Sequence, residues 1–255
     1  MINCDYHTHT TYCDGKNTPR EMVEAAVRRK MVQIGISGHA PQPFDNGCCM
    51  SKDSAIGYNR EVRSLKKEFA QKIKVFCGIE KDLFSDADTK DFDYVIGSVH
   101  YIKTAGGFIA VDESADALKK MIEQCFDGDA LAMCEAYFDN AAQIGEALAP
   151  DIVGHFDLVT KYNKDGRFFD ESSPRYTAAW KRAADRLLKT CRLFEINTGA
   201  MFRVGKDRPY PSPEMISYIK ERGGRFILSS DSHCADSLCF NFDKYEHLAD
   251  IKSLF

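Results

Sequence analysis

The sequence predicts an α/β chain folded as one closed, parallel β/α barrel of seven strands, a single domain over residues 1–255. Three observations predict it. Short apolar runs alternate with amphipathic helical stretches, a length of 255 residues suits one such barrel, and metal-competent side chains fall at the C-terminal end of run after run.

The candidate strands are residues 2–6, 32–37, 73–78, 94–99, 151–154, 193–197 and 226–229. Helices fall between most of them. Thr18 can cap the first, Pro19 suits its first turn and Glu21 completes a capping box, with Val23 and Val27 on one face. Residues 51–70, 114–126 and 131–148 also read as helices. Ser173 and Pro174 open another, striped by Tyr176, Trp180, Ala183, Ala184 and Leu187. Ser212 and Pro213 open the next, which carries Met215, Ile216 and Ile219 and ends near Gly223 and Gly224. Such alternation implies parallel strands joined by right-handed crossovers, in a barrel or an open sheet.

Polar residues decide between the two. The strand ends carry His7 and His9, His39, Glu80, His100, His155, Glu195 and Asn197, then Asp231 and His233. Six of the seven histidines lie at such ends; His247 does not and reads as a surface residue. A parallel barrel opens all these ends on one face, whereas an open sheet would spread them along a line. Imidazole and carboxylate are the usual ligands of zinc and similar metals. Alternate residues on a strand point the same way, so His7 and His9 can face one ion, and Asp231 and His233 repeat that geometry. Glu80 has two oxygens and can bridge two ions. The donors exceed the roughly four that one zinc accepts, so two or three ions are expected.

Composition bounds the rest. Hydrophobic residues make up 44% and charged residues 28%, as in globular chains, and a net charge of -4 without a basic face disfavours nucleic acid as a partner. No apolar run reaches bilayer length and the start at Met1 has no signal core, so a cytoplasmic chain with no membrane partner is expected. The 10 cysteines include no Cys-x-x-Cys, only the adjacent Cys48 and Cys49, and read as reduced, buried thiols, with a structural zinc site among them the lesser reading.

These blocks resemble a known family. His7-Thr8-His9, Cys13-Asp14-Gly15, Ser37-Gly38-His39, Gly78-Ile79-Glu80, Gly97-Ser98-Val99-His100, Gly154-His155 and Ser230-Asp231-Ser232-His233 are similar, in order and spacing, to the PHP (polymerase and histidinol phosphatase) superfamily. Within it, Gly154-His155-Phe156-Asp157-Leu158, Glu195-Ile196-Asn197-Thr198 and Tyr210-Pro211-Ser212 resemble the monofunctional histidinol-phosphatases of histidine biosynthesis. The resemblance implies a distorted, TIM-like (β/α)7 barrel with three metals. His7, His9, Glu80 and Asp231 would hold the first; Glu80, His100 and His155 the second; Asp14, His39 and His233 the third. Asp14 also reads as a turn residue in its Asp-Gly pair.

The implied reaction is hydrolysis of a small phosphate monoester, L-histidinol phosphate, to L-histidinol and phosphate. Zinc, iron or manganese would generate hydroxide from water near neutral pH and neutralise phosphate charge. No nucleophilic Ser or Cys signature is present, so direct attack without a phosphoenzyme is expected. Arg167 and Arg203, in loops after the fifth and sixth strands, are the candidates to grip the phosphate, with Lys161 and Arg208 as rivals. Phe44, Asp45 and Tyr101 could meet the imidazole or amine, and residues 41–53 could form part of a lid. The competing readings are a nucleotide or oligonucleotide phosphoesterase, a C–N-cleaving amidohydrolase, whose bridging Lys would be Glu80 here, and a degenerate partner-binding module.

Overall fold

The computed structural model describes residues 2–45 and 47–255; Asn46, inside the expected lid, and Met1 lie outside the described residues. In chain order the strands are β1 (Cys4–Asp5), β2 (Gln33–Ile36), β3 (Lys74–Asp82), β4 (Tyr94–Ser98), β5 (Tyr101–Thr104), β6 (Gly107–Ala110), β7 (Ile152–Val153), β8 (Leu193–Asn197) and β9 (Arg225–Ser229). The helices are α1 (Pro19–Arg28), α2 (Lys52–Glu68), α3 (Ala115–Cys125), α4 (Ala130–Ala141), α5 (Ile144–Leu148), α6 (Pro174–Leu187), α7 (Gly199–Arg203), α8 (Pro213–Glu221) and α9 (Phe242–Tyr245).

Seven strands make one sheet in the order β1-β2-β3-β4-β7-β8-β9, every pair parallel. The seam between β9 and β1 is thin. Among the described residues one parallel bridge spans it, joining Thr8 to Ser232 through His9 N–H to Ser232 O at 2.7 Å and Ser232 N–H to His7 O at 3.1 Å. It brings the ring of strands to closure at the mouth, as the distorted seven-stranded barrel requires.

Local chemistry explains the helix starts. Thr18 and Glu21 form the expected capping box, and Ser51, Ser114 and Ser212 cap α2, α3 and α8. Ser173 makes no side-chain cap bond, so Pro174 alone marks the start of α6. Two expectations need correction. Residues 131–148 are two helices, because the chain turns at Ala142 and Gln143 to dock Ile144 and Gly145 into the core. The antiparallel hairpin β5–β6, directly after β4, was not foreseen.

Below the site the barrel is filled by aromatic rings. Tyr6 and Tyr94 meet edge to face at 5.9 Å, and the Tyr94 hydroxyl donates to Tyr6 O, which satisfies a buried polar tip. Room for Tyr94 comes from Gly35 and Gly78, where any Cβ would overlap its ring or hydroxyl. Phe255 stacks on Phe76 at 4.1 Å and covers this end. The helices bury their apolar stripes against the outer face, with Met22, Val23 and Ala26 from α1 and Trp180, Ala183 and Leu187 from α6 all buried.

Candidate metal centre

His7 and His9 follow β1 with their rings 5.2 Å apart, both wholly buried, as alternation along an extended chain predicts. Asp231 and His233 arrive differently. β9 ends at Ser229, and Asp231 has a left-handed backbone, φ 49°, which is costly for a non-glycine residue. That bend frees Ser232 to make the seam bridge while Asp231 and His233 still reach the mouth. Asp14 lies in a tight turn in which Cys13 and Gly15 N–H both donate to Thr10 O, at 2.9 and 3.0 Å. A Cβ on Gly15 would strike the Thr10 backbone, so the turn needs glycine and the Asp-Gly pair serves turn and site together.

Glu80 is the centre of the arrangement. Its Oε1 faces His155 Nε2 at 2.8 Å and His100 Nε2 at 3.3 Å. Its Oε2 faces His39 Nδ1 at 3.0 Å, His7 Nε2 at 3.1 Å and His9 Nε2 at 3.5 Å. Asp231 Oδ1 completes one side, 3.2 Å from His9 Nε2 and 3.7 Å from His7 Nε2. Asp14 Oδ2 meets His233 Nε2 at 3.0 Å, and its Oδ1 stands 3.6 Å from His9 and 3.8 Å from His39. All nine residues expected as ligands therefore converge, in four overlapping donor groups: His7, Glu80 and His155; His7, His9 and Asp231; His39, Glu80 and His100; and His9, Asp14, His39 and His233.

Does this set fit metal ions? Metal–donor bonds of about 2.0–2.1 Å at a tetrahedral angle separate donor atoms by about 3.3 Å, the spacing found here. Moreover, His7 Nε2, His9 Nε2 and Glu80 Oε2 are buried with no hydrogen-bond partner. Buried polar atoms are normally satisfied, so three such atoms turned toward one another fit donors arranged for cations. Charge tells the same story. Burial alone would raise Glu80 and Asp231, yet His7 and His39 hold Glu80, and Arg203 and His7 hold Asp231, well below the carboxylate range. Burial, with His233 and His39, pushes the His9 imidazole down to about 3, whereas the carboxylates around them, Glu80 above all, raise His39 and His100, and Glu195 and Glu80 raise His7, all against burial. On binding a cation these three would give up a proton.

An outer set of groups aims these donors. Glu195 Oε2 is 2.8 Å from His7 Nδ1, and Glu195 Oε1 accepts the His155 N–H at 2.6 Å. Asn197 donates to Glu195 at 2.8 Å and to Asp231 at 3.3 Å. Asp82 accepts the His100 N–H at 2.7 Å and holds its Nδ1 at 3.3 Å. Sequence reasoning placed Glu195 and Asn197 at a strand end without a role and missed Asp82. The signal for Asp82 was its position two residues past Glu80, on the same face of β3.

The donors open into a cavity of about 370 Å³ whose lining includes Asp45, Tyr101, Lys161 and Arg203. Arg203, on α7, donates from Nη2 to Asp231 Oδ2 at 2.8 Å and touches His233. Arg167 does not join it. It is exposed, stacks over the Phe168 ring at 5.0 Å and is not part of the lining, a correction to the expected phosphate grip. In this loop the Asn163 side chain accepts the Phe168 and Phe169 N–H groups at 2.9 and 3.1 Å, and Asp165 bends left-handed, φ 55°. Of the rivals, Arg208 is spent on Asp157 and Glu171, at 2.9 and 2.7 Å, outside the lining. Lys161 lines the cavity but is paired with Asp112 at 2.9 Å. Phe44 is exposed and outside the lining, stacked on Phe108 at 3.9 Å, while Asp45 and Tyr101 share a 2.7 Å hydrogen bond inside it. His247 is exposed and joins none of the donor groups.

A parallel barrel with imidazoles and carboxylates gathered at one mouth defines the class of barrel metallohydrolases. Within that class the chain belongs to the PHP domain family, whose model matches residues 5–199. A Deinococcus radiodurans protein described as a probable histidinol-phosphatase is 29% identical over 97% of this chain and 93% of its own length. The histidinol-phosphatase of Bacillus subtilis is 26% identical, covering 96% of this chain and 98% of its own. The crystal structure of histidinol phosphate phosphatase from Lactococcus lactis, complexed with zinc, L-histidinol and phosphate, matches at a TM-score of 0.71 and 24% identity, covering 97% of this chain and 92% of that one. Among the described residues, no helix is long and apolar enough to cross a membrane.

Proposed function

We propose that this chain is a metal-dependent phosphomonoesterase that converts L-histidinol phosphate to L-histidinol and phosphate in histidine biosynthesis. The observation that carries the reading is Glu80, whose two oxygens face two separate sets of imidazoles as a bridging carboxylate would. Full-length relatives described as histidinol-phosphatases, one of them seen with zinc, L-histidinol and phosphate, supply the substrate. Two to three ions of zinc, iron or manganese would be held by His7, His9, Glu80 and Asp231, by Glu80, His100 and His155, and by Asp14, His39 and His233.

When bound, such ions supply Lewis acidity and a water of lowered pKa. The chain's own groups do the rest. Arg203 sits beside Asp231 and His233 as the cavity cation best placed for a phosphate oxygen. Glu195 and Asp82 fix the rings of His7 and His100, so the donors are aimed before substrate arrives. Asp45, Asp112 and Glu113 also line the cavity, an acidic surround that suits the amine and imidazole of histidinol and disfavours a polyanionic nucleic acid.

The test is phosphate release from histidinol phosphate beside nucleotides and sugar phosphates, with elemental analysis of bound metal, before and after chelation. Preference for histidinol phosphate, lost with the metals and restored on adding them back, is expected. Metal-dependent release mainly from nucleotides would overturn the substrate. Bound metal with no phosphate release would overturn the reaction.

A further inference from the structure

We propose that Cys48, Cys49 and Asp45, which line the cavity as a donor group of their own, form a binding site for one soft divalent cation of the zinc and cadmium class, additional to the histidine-rich groups. Cys4, Cys77, Cys134 and Cys191 are buried and behave as small hydrophobes. Cys48 and Cys49 are only part-buried, and both line the cavity.

Their spacing is that of a coordination shell. Cys48 Sγ is 3.7 Å from Cys49 Sγ and 3.5 Å from Asp45 Oδ2, and the three residues form a compact donor group of their own. Zinc–sulfur bonds of about 2.3 Å and a zinc–oxygen bond of about 2.0 Å, at tetrahedral angles, place two sulfurs about 3.8 Å apart and a sulfur and an oxygen about 3.5 Å apart. Both edges agree with those observed.

The donors are also held in place. Asp45 Oδ1 accepts the Gly47 and Cys48 N–H groups at 2.8 and 3.3 Å, which leaves Oδ2 on the side of the sulfur. The Tyr101 hydroxyl donates to Oδ2 at 2.7 Å and stands 3.8 Å from Cys48 Sγ. Phe44 stacks on Phe108 and meets the Tyr101 ring edge-on at 5.0 Å, tying the loop to the β5–β6 hairpin. Thiolates select zinc, cadmium and similar soft ions over magnesium and manganese, so this site discriminates among metals more sharply than the imidazole groups of the same cavity. Each thiol releases its proton to solvent on binding.

The test is a cadmium titration of the full chain with its histidine sites already filled with zinc. It is read by thiolate-to-cadmium charge-transfer absorption in the ultraviolet and by elemental analysis of bound cadmium, neither of which depends on phosphatase activity. The expected result is one cadmium per chain with the absorption, lost in the Cys48→Ser/Cys49→Ser double variant and retained in Cys125→Ser, which removes an exposed thiol. Absorption of equal size in the double variant, or none in the original chain, would overturn the proposal. Should the double variant fail to fold, Cys48→Ala and Cys49→Ala are each expected to lower the absorption, because each removes one of the two thiolates; undiminished absorption in both overturns it.

Discussion

Glu195 Oε2 lies 2.8 Å from His7 Nδ1, and both side chains are wholly buried. The contact fixes the ring so that Nε2 faces Glu80 and Asp231. Loss of such an outer partner typically costs about 10–100-fold in metal affinity. Glu195→Gln is therefore expected to fold, to release metal at correspondingly lower chelator concentration, and to regain activity with excess metal. Unchanged metal retention would show that the contact only fills space.

Arg203 is expected to act on phosphate through its planar fork. Arg203→Ala should lower kcat/KM for histidinol phosphate by about 100-fold. Arg203→Lys should recover little of it, because an ammonium cannot reproduce bidentate contact. Steady-state kinetics at matched metal content checks this, and full activity in the Lys variant would reduce Arg203 to a partner of Asp231.

Asp112 and Lys161 give a pH-dependent contribution to stability. Burial alone would raise the Asp112 carboxyl, but Lys161 and His100 bring it down to about 2. A carboxyl depressed on folding stabilises above its unfolded pKa of about 3.9 and loses that contribution as pH falls through the folded value. The contribution, on the order of 2 kcal/mol, is thus complete above about pH 5 and gone near pH 1. With the metals stripped, Asp112→Asn should melt below the original chain at pH 7, and the gap should close as pH drops through that window. A gap that ignores pH would mean that the loss is packing, not charge.

Gly78 makes room for Tyr94, so Gly78→Ala drives a methyl into a ring with nowhere to go. The expected loss is about 1–3 kcal/mol, seen as a lower denaturation midpoint at unchanged metal affinity. Gly78→Ala combined with Tyr94→Phe should recover little, since it is the ring and not only the hydroxyl that is struck.

Much of this was legible in the chain because its signals are local. Five of the seven barrel strands stand inside the apolar runs; β3 continues beyond its run through Glu80 to Asp82, and β9 begins one residue early at Arg225. The ligand positions were readable because a parallel barrel turns every strand's C-terminal end to one face. What escaped notice depends on contacts distant in sequence. The break after α4 comes from docking: a Cβ on Gly145 would meet the Thr190 side chain, and Ile144 packs over Gly97. Arg167 stays out of the cavity lining, in a loop braced by the Asn163 side chain, and no periodicity reports such bracing. The left-handed bend at Asp231 likewise had no sequence mark, since an Asp between two serines reads as readily as a plain strand end.

The thin seam has a consequence for the order of assembly. His7 and His9 stand at one edge of the ring and Asp231 and His233 at the other; among the described residues the strand pairing between them is one bridge, Thr8 to Ser232, 224 positions apart, helped by Asp5, which accepts from Ser230 and Cys239 N–H, each at 3.1 Å. Contacts so distant in sequence form late, after the loops between them have closed. During synthesis, six strands can pair while the first histidines still lack their partners from beyond β9. The complete donor set exists only in a chain that has finished folding, so the power to hydrolyse is acquired in the last step and withheld from every shorter intermediate.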